Sequence, residues 1–274
     1  MKILAIETTG KYGSAAVIDE TGRVFSAASG EEMNHLRGMM TLIDEALRGS
    51  GTDKSELTHI AVSVGPGSFT GIRIGVVTAR VMAQMLGVPC IAVSSLEAMG
   101  RRVLDAAVSA GSLYVVPVIN ARRHQTYAGV WEAQFTTDHE QQTLMPVAEE
   151  KQYMIEELLE ILSGKIAELE AGAGGRVSSL KDMLGNAVFF TGDGIDAYEE
   201  IIRSSLPEGL YAFADGELRY QHAESVAKTA LGKAVKGETL AYNELMPEYM
   251  RLAEAEQRLR AGTLSERIKK PVQI

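Results

Sequence analysis

The sequence predicts an α/β fold, and two observations lead to that prediction. The first is a set of three short apolar segments near the N-terminus, each with the length of a strand and each followed by a turn that contains glycine. These segments are residues 2–7, 14–18 and 23–28. The second is a helix–strand–helix pattern directly after them, with helices over about 32–48 and 71–86. Strands that alternate with amphipathic helices indicate a layered α/β protein.

Composition limits the class of protein. The chain has 274 residues, 46% hydrophobic and 23% charged, which is enough for one large or two modest globular domains. Its net charge of −9 argues against direct binding of nucleic acid, because neutralising phosphates supplies most non-specific affinity. The single cysteine, Cys90, excludes an internal disulfide, and no apolar run has the length of a signal sequence or a membrane span. We therefore expect a cytoplasmic protein.

One segment joins a buried strand to a helix through a sharp break. Residues 60–64 are nearly all apolar, and the Gly-Pro-Gly sequence after them cannot continue a β-ladder. Ser68 or Thr70 is placed to cap the following helix, and Gly87 to end it. A glycine-rich strand-to-helix turn can also bind phosphate, but this one lacks the spacing of phosphate loops and has no lysine nearby. A tight turn with close packing is the preferred interpretation.

The helix after this turn carries a ridge of minimal side chains, one at every fourth residue. The ridge consists of Gly71, Gly75, Ala79 and Ala83. Two glycines inside a helix cost roughly 1 kcal/mol each relative to alanine, so a favourable contact must compensate for them. Small residues permit close approach of another backbone, either a partner helix or the protein's own sheet. We favour a partner, because the other faces of this helix already carry large apolar residues.

The helix predicted over about 32–48 has a wide apolar stripe that includes three methionines. The stripe consists of Met33, Leu36, Met40, Ile43 and Leu47, widened by Met39, Leu42 and Ala46. Flexible methionine side chains suit an adaptable contact surface. Packing against the protein's own core is the common alternative cause of such a stripe.

Several motifs occur together in an order that is typical of one family. The most specific is GPGSFTGIRIGVVTAR at 65–80, followed by SSLEA at 94–98. Further matches are NARRHQ at 120–125, the glycine turn at 192–194, and MPEYMR at 246–251. Together these motifs resemble the TsaB (YeaZ) family over about residues 1–135 and 191–258. The family has D-A-R-R-G-E at the third motif, so the neutral Asn120 and Gln125 here replace two acids and weaken any acid/base role for that turn.

The resemblance implies the two-lobed fold of the actin-like ATPases, also called the ASKHA or RNase H-like fold. The expected lobes are residues 1–108 and 109–274, with the helix around 223–236 packing back toward the first lobe. The stretch near 165–185 is rich in Gly, Ala, Ser and charge, and we interpret it as a flexible insertion. The last twelve residues are expected to form a tail without regular structure.

The resemblance also implies a function, that of a non-catalytic partner subunit. Members of the family take part in making threonylcarbamoyladenosine (t6A) in tRNA, where they bind and activate the transferase paralogue TsaD together with the ATPase TsaE. They pair with TsaD, or with a second copy, through the two N-terminal helices, and contact tRNA only through the complex. The interface residues expected here are Met33, Leu36, Met39, Met40, Gly71, Gly75, Ala79 and Ala83.

Expectations about nucleotide and metal binding follow from the same resemblance. The phosphate-contacting positions expected from actin-like ATPases are Glu7, Thr8, Thr9, Gly10, Gly192 and Gly194. For Glu7, a magnesium-linked role and a purely structural one remain open. We expect no cofactor of the chain's own, although ATP or ADP at the complex interface is compatible with the resemblance. No metal is expected either, because His35 stands where the catalytic paralogue begins an H-x-x-x-H pair and Met39 replaces the second histidine.

Two other functions remain as alternatives. One is an enzyme in its own right, either a small-molecule kinase or ATPase of the actin-like type or a glycoprotease-like peptidase. A peptidase needs a nucleophile–base pair or a metal pair, and neither is recognisable in the sequence. The other is a direct tRNA binder, which the acidic composition disfavours.

Overall fold

Two five-stranded sheets with flanking helices make up the part of the chain that the computed structural model describes. That part comprises residues 1–30, 35–109, 112–135, 142–172 and 186–250, with the backbone only at 35–37, 105, 135, 142 and 172. The first sheet uses strands from the N-terminal third of the chain, and the second uses strands from Tyr114 to Phe213. The α/β class predicted from the sequence is confirmed.

The first sheet has the strand order β3-β2-β1-β4-β5. Its strands are β1 (Lys2–Glu7), β2 (Ser14–Asp19), β3 (Val24–Ala28), β4 (His59–Gly65) and β5 (Cys90–Ser94). The first three strands form an antiparallel meander, with Lys2 opposite Asp19 and Ser14 opposite Ala28. β4 and β5 then add in parallel on the other side of β1. Consequently the carboxyl ends of β1, β4 and β5 lie at one edge of the sheet.

The second sheet repeats the topology of the first, with the order β10-β9-β6-β7-β8. Its strands are β6 (Tyr114–Arg122), β7 (Gln125–Phe135), β8 (Gln142–Met154), β9 (Val188–Thr191) and β10 (Tyr211–Phe213). Again three antiparallel strands come first, and two parallel strands follow on the far side of the first strand. This duplication is the two-lobed actin-like arrangement.

Six α-helices fall within the described residues: α1 (His35–Ser50), α2 (Phe69–Leu86), α3 (Ser95–Ser109), α4 (Ile155–Gly172), α5 (Gly194–Ser205) and α6 (Ala223–Val235). The caps of α2 are those expected from the sequence. Ser68 Oγ accepts a hydrogen bond from the Gly71 amide at 3.2 Å, and Gly87 ends the helix in the left-handed conformation at φ 69°.

The two faces of the first sheet are covered by helices from distant parts of the chain. α1 and α2 bury one face, where Met39, Ile43 and Ile72 pack with Leu4 and Val62. α6 covers the opposite face, where Ala223, Val226 and Ala230 pack with buried isoleucine, valine and alanine residues of the strands. The predicted return of this late helix to the first sheet is therefore confirmed. The domain boundary near residue 108 stays a prediction.

The second sheet departs from the sequence-based expectation in two places. β8 was not anticipated, because Pro146 and the charged run from Glu149 to Lys151 obscure its strand pattern; both are tolerated here because β8 is an edge strand. The apolar spacing of residues 152–162 predicts a helix there; the helix begins at Ile155 and continues to Gly172, with Ile166 buried in the second core. The part of the expected insertion up to residue 172 is therefore helical. The rest of that insertion, at 173–185, and the C-terminal tail lie outside the described residues.

Candidate functional site

The two lobes face each other across a cleft of about 470 Å³ at the carboxyl ends of their central strands. Thr9, Gly10 and Lys11 of the β1–β2 hairpin form one wall together with Gly67–Phe69. The other wall comes from the β6–β7 turn and Asp193. Ligands of open α/β sheets bind beyond the carboxyl ends of the strands, so this cleft is the place where a small molecule would be expected.

Glu7, at the end of β1, is fully buried beside this cleft. One carboxyl oxygen accepts hydrogen bonds from the amide and the hydroxyl of Thr9, the latter at 2.7 Å, and the other oxygen accepts from the hydroxyl of Ser63. Thr9 in turn is hydrogen-bonded to the hydroxyl of Ser95 at 3.0 Å. Glu7 therefore connects β1 and β4, and through Thr9 the start of α3. Of the two roles left open for Glu7, this placement favours the structural one.

Thr8 and Gly10 are also engaged with the protein itself. Thr8 is buried, and its hydroxyl donates to the Gly71 carbonyl at 2.7 Å. Gly10 lies directly against the side chain of Gln221, so that a Cβ at this position would come closer than 3.0 Å to the Gln221 amide. Gln221 thus covers the hairpin at the point where a phosphate would approach its backbone. No pattern in the sequence had pointed to Gln221 as part of this site.

The glycine turn after β9 is shaped by packing. A Cβ on Gly192 or on Gly194 would lie within 3.0 Å of the Val118 carbonyl oxygen of β6, and Gly192 has a φ of 111°. Between them, the Asp193 side chain accepts a hydrogen bond from the backbone N–H of Asn120 at 3.0 Å. Burial raises the pKa of the Asp193 carboxyl group. Close backbone contact thus accounts for both glycines, and Asp193 is the member of this turn that lines the cleft.

The turn between β6 and β7 contains three consecutive residues in the left-handed region. These are Arg122, Arg123 and His124, with φ values of 63°, 55° and 60°. Non-glycine residues pay about 1 kcal/mol or more each for this conformation. The Asn120 side chain holds the turn by accepting a hydrogen bond from the Arg122 amide at 2.8 Å. His124 stands where the family's D-A-R-R-G-E motif has glycine, the residue type that adopts a positive φ without steric cost, so the turn itself accounts for the left-handed backbone here.

Metal ligands do not gather at any one place in the described residues: no group of three or more His, Cys, Asp or Glu side chains is positioned to hold an ion. Met39, at the position of the catalytic paralogue's second histidine, is buried in the first core. The side chain of His35 lies outside the described residues. The expected absence of a metal stays a prediction.

The small ridge of α2 faces the protein's own sheet. Ala79 and Ala83 are buried, a Cβ on Gly71 would lie within 3.0 Å of the Thr8 carbonyl oxygen, and one on Gly75 would collide with the Thr8 hydroxyl. The small residues therefore allow α2 to approach the end of β1. Their interpretation as a surface for a partner helix needs correction, because the fold of the chain itself covers them.

The opposite side of α2 is exposed and apolar. Val77, Val81 and Met85 follow each other at intervals of four residues and are 58%, 48% and 81% exposed. The neighbouring α1, which contacts α2, exposes Met40 at 62%. We call Met40, Val77, Val81 and Met85 the outer stripe. Of the other residues expected at a partner interface, Met39 is buried, and Met33 and the side chain of Leu36 lie outside the described residues.

A C-terminal segment holds the start of α2. The Tyr249 hydroxyl accepts a hydrogen bond from Arg73 Nε at 2.8 Å, and its ring packs on Phe69 with centroids 4.8 Å apart. The Arg73 guanidinium lies 3.9 Å from the Phe69 ring centroid. Tyr249 belongs to the MPEYMR motif, so this motif positions the helix that carries the outer stripe.

Replacing Glu7 by glutamine should change how stability depends on pH. Burial raises the pKa of Glu7 above its usual 4.5 and outweighs the hydrogen bonds from Ser63 and Thr9, which lower it. The folded state therefore keeps this proton to a higher pH than the unfolded state, and the stability it contributes is lost as pH rises from the unfolded value through the folded pKa. Glutamine cannot lose a proton. In urea unfolding at several pH values, the Glu7→Gln variant should gain stability relative to the wild type as pH rises; a constant difference, or one of opposite slope, would contradict the assignment.

The fold and the cleft define a two-lobed actin-like protein in which the Gln221 side chain covers the first hairpin. Comparison with known proteins identifies its relatives. The family model for TsaD, tRNA N6-adenosine threonylcarbamoyltransferase, matches residues 30–272. The tRNA threonylcarbamoyladenosine biosynthesis protein TsaB of Bacillus subtilis is 29% identical, with 93% of this chain and 96% of that protein covered. TsaB of Escherichia coli is 26% identical, with 92% and 95% covered.

A solved structure shows the same fold. A Pseudomonas aeruginosa protein described as similar to peptidase YEAZ superimposes with a TM-score of 0.67 at 24% identity, over 91% of this chain and 99% of that one. The chain therefore belongs to the TsaD family and, within it, to the TsaB (YeaZ) group. The resemblance drawn from the motifs is confirmed. Among the described residues, no helix is both long and apolar enough to cross a membrane.

Proposed function

We propose that this chain is a non-catalytic subunit in the biosynthesis of t6A in tRNA. In this proposal it binds a TsaD-like transferase through the outer stripe and, together with a TsaE-like ATPase, activates it. The observation that carries the proposal is the outer stripe itself: apolar side chains on one exposed helix face, in a chain similar to TsaB proteins over nearly its whole length. Exposed apolar side chains grouped on one face are typical of protein interaction sites.

Contacts within the protein already occupy the groups at the cleft that a kinase would use, and this supports a non-catalytic role. A kinase needs loops that are free to hold the phosphates and a base that accepts the proton of the attacking hydroxyl. Here both oxygens of Glu7 accept hydrogen bonds from the chain, and Gln221 covers Gly10. We propose accordingly that the chain holds no nucleotide by itself, and that any ATP or ADP binds at the interface of the complex.

The same surface suggests how the chain behaves without its partner. We propose that two copies pair through the outer stripe and that the transferase subunit replaces the second copy, so that the two associations exclude each other. The net charge of −9 favours indirect contact with tRNA, through the assembled complex.

Association is tested by mass in solution. The chain, the TsaD-like protein of the same genome, and their mixture are each measured by light scattering after gel filtration. We expect a complex of the two chains, and formation of t6A by the transferase only when this chain is present. A mixture that elutes as its separate components, together with full t6A formation by the transferase alone, would contradict the proposal.

The cleft is the observation that favours the alternative, an enzyme in its own right. Its volume of about 470 Å³ is in the range of small-molecule sites. ATP turnover by the isolated chain separates the two functions. We expect no sustained hydrolysis; turnover that depends on an added small-molecule substrate would support the kinase alternative instead.

A further inference from the structure

A second cavity, of about 580 Å³, lies beside the cleft and shares Gln221 with it. Its wall combines parts that are distant in sequence: Tyr12 of the β1–β2 hairpin, the end of β3, Arg102 of α3, and the segment from Asp215 to His222 that leads into α6. No residue of the outer stripe, the surface that we propose binds the transferase, lines this cavity. Its size is that of a site for a small metabolite.

Arg102 gives the cavity a cationic group that lacks a full set of partners. Its Nε is buried and donates no hydrogen bond. Burial lowers the pKa of this guanidinium, and the charges of Glu224 and Glu217 oppose that effect only in part. A buried donor without an acceptor is costly and uncommon. The neighbouring Arg101 has an unpartnered buried Nε as well, so Arg102 is distinguished by its place on the cavity wall, where its guanidinium can meet an anion.

His222 adds a second donor on the same wall. Its Nδ1 accepts a hydrogen bond from the Glu224 amide at 3.2 Å and so caps α6. Burial, and then the charge of Arg102, lower the pKa of this imidazole, so the ring is neutral near pH 7. With Nδ1 occupied as an acceptor, the single ring proton is on Nε2, which makes Nε2–H the donor left for a ligand.

Two aromatic rings complete the site. Tyr12 and Tyr220 pack edge to face with their centroids 5.5 Å apart, and both line the cavity. Arg219 is less available than Arg102, because it forms an ion pair with Asp196 at 2.5 Å and donates to the Ala214 carbonyl. Asp215 and Glu217 stand on the exposed part of the wall, where they can accept hydrogen bonds from hydroxyl or amine groups.

We propose that this cavity binds a small anionic metabolite, with its carboxylate or phosphate group held by Arg102 and His222 and its body against Tyr12 and Tyr220. The guanidinium is the residue type best suited to planar, charge-assisted recognition of either anion. Bound there, the metabolite joins the first hairpin, α3 and the start of α6, and so contacts elements of the first lobe from both ends of the chain.

The test uses the full-length protein with inorganic phosphate and citrate as separate probes at constant ionic strength. NMR of histidine-labelled protein follows the imidazole of His222, assigned with the His222→Asn variant, because asparagine retains a helix cap. We expect at least one probe to shift the His222 signal along a saturable curve at millimolar concentrations. Phosphate alone would identify a phosphate ligand, and citrate alone a carboxylate.

A matched pair of variants locates the binding. Arg102→Gln should weaken the apparent affinity at least about tenfold, because a charge-assisted hydrogen bond is lost. Arg101→Gln changes the charge equally on the neighbouring residue of α3, which does not line the cavity, and should alter affinity by less than about twofold. Equal weakening by both variants would overturn the proposal. So would the absence of a saturable shift of His222 in the wild-type protein, a result that does not depend on whether either variant folds.

Discussion

Gly71→Ala is expected to destabilise the protein by about 3 kcal/mol, although it adds a single methyl group. The added Cβ would lie within 3.0 Å of the Thr8 carbonyl oxygen, which is backbone and cannot rotate away as a side chain can. Relief requires α2 to move off the end of β1, and that movement also breaks the hydrogen bond from the Thr8 hydroxyl to the Gly71 carbonyl. A melting temperature lower by roughly 6–12 °C is expected for a chain of this length.

Gly164→Ala is the matched control, because Gly164 lies in the exposed middle of α4 with nothing within 4 Å of an added Cβ. There the same change should stabilise by roughly 0.5–1 kcal/mol, the ordinary difference in helix propensity. Thermal and urea unfolding of the two variants give the comparison. A Gly71→Ala protein that melts like the wild type but no longer associates with the transferase would restore the small ridge as a partner surface.

Val77→Glu is expected to have the opposite profile, with folding retained and association lost. Val77 is 58% exposed on α2, so a charged side chain there stays in water in the isolated chain, and stability should change by no more than about 0.5 kcal/mol. Buried in a complex, the same carboxylate would lack a partner. We expect binding of the TsaD-like protein to weaken at least about 30-fold, as at an interface hot spot.

The control is Val235→Glu at the end of α6, where the residue is 74% exposed and the helix covers the opposite face of the first sheet. This variant carries the same change in charge and shape and should bind normally. Affinity and formation of t6A are measured for both variants. Equal loss with both would indicate a general charge effect, and normal binding by Val77→Glu would exclude the outer stripe.

The two experiments separate the two faces of one helix, which the sequence did not distinguish. Periodicity shows that Gly71, Gly75, Ala79 and Ala83 share a face and that Val77, Val81 and Met85 share another. Both faces are apolar, and a pattern of apolar residues alone does not say which one meets the protein's own sheet. The structure decides this, because only minimal side chains fit against the carbonyl and hydroxyl of Thr8.

Local chemistry was sufficient to predict much of the fold. The strand–break–helix segment, the Ser68 cap, the Gly87 stop and the α/β class all depend on residues close together in the chain, so the sequence determines them directly. The motifs were also sufficient to identify the family. The strand β8 escaped prediction because an edge strand tolerates the proline and charges that would exclude a central one.

Contacts between distant parts of the chain decided which site residues are hydrogen-bonded or covered within the protein and which line a cavity. Glu7 meets Ser63 across two parallel strands, and Gln221 reaches Gly10 from the other end of the sequence. Arg102 and His222 share a cavity wall although 120 positions separate their numbers. Such pairings depend on how sheets and helices pack, and burial raises the pKa values of the Glu7 and Asp193 carboxyl groups and lowers that of the His222 imidazole. The sequence by itself determined which residues were available for chemistry; the tertiary structure decided which of them are closed within the protein and which remain open to a partner or a ligand.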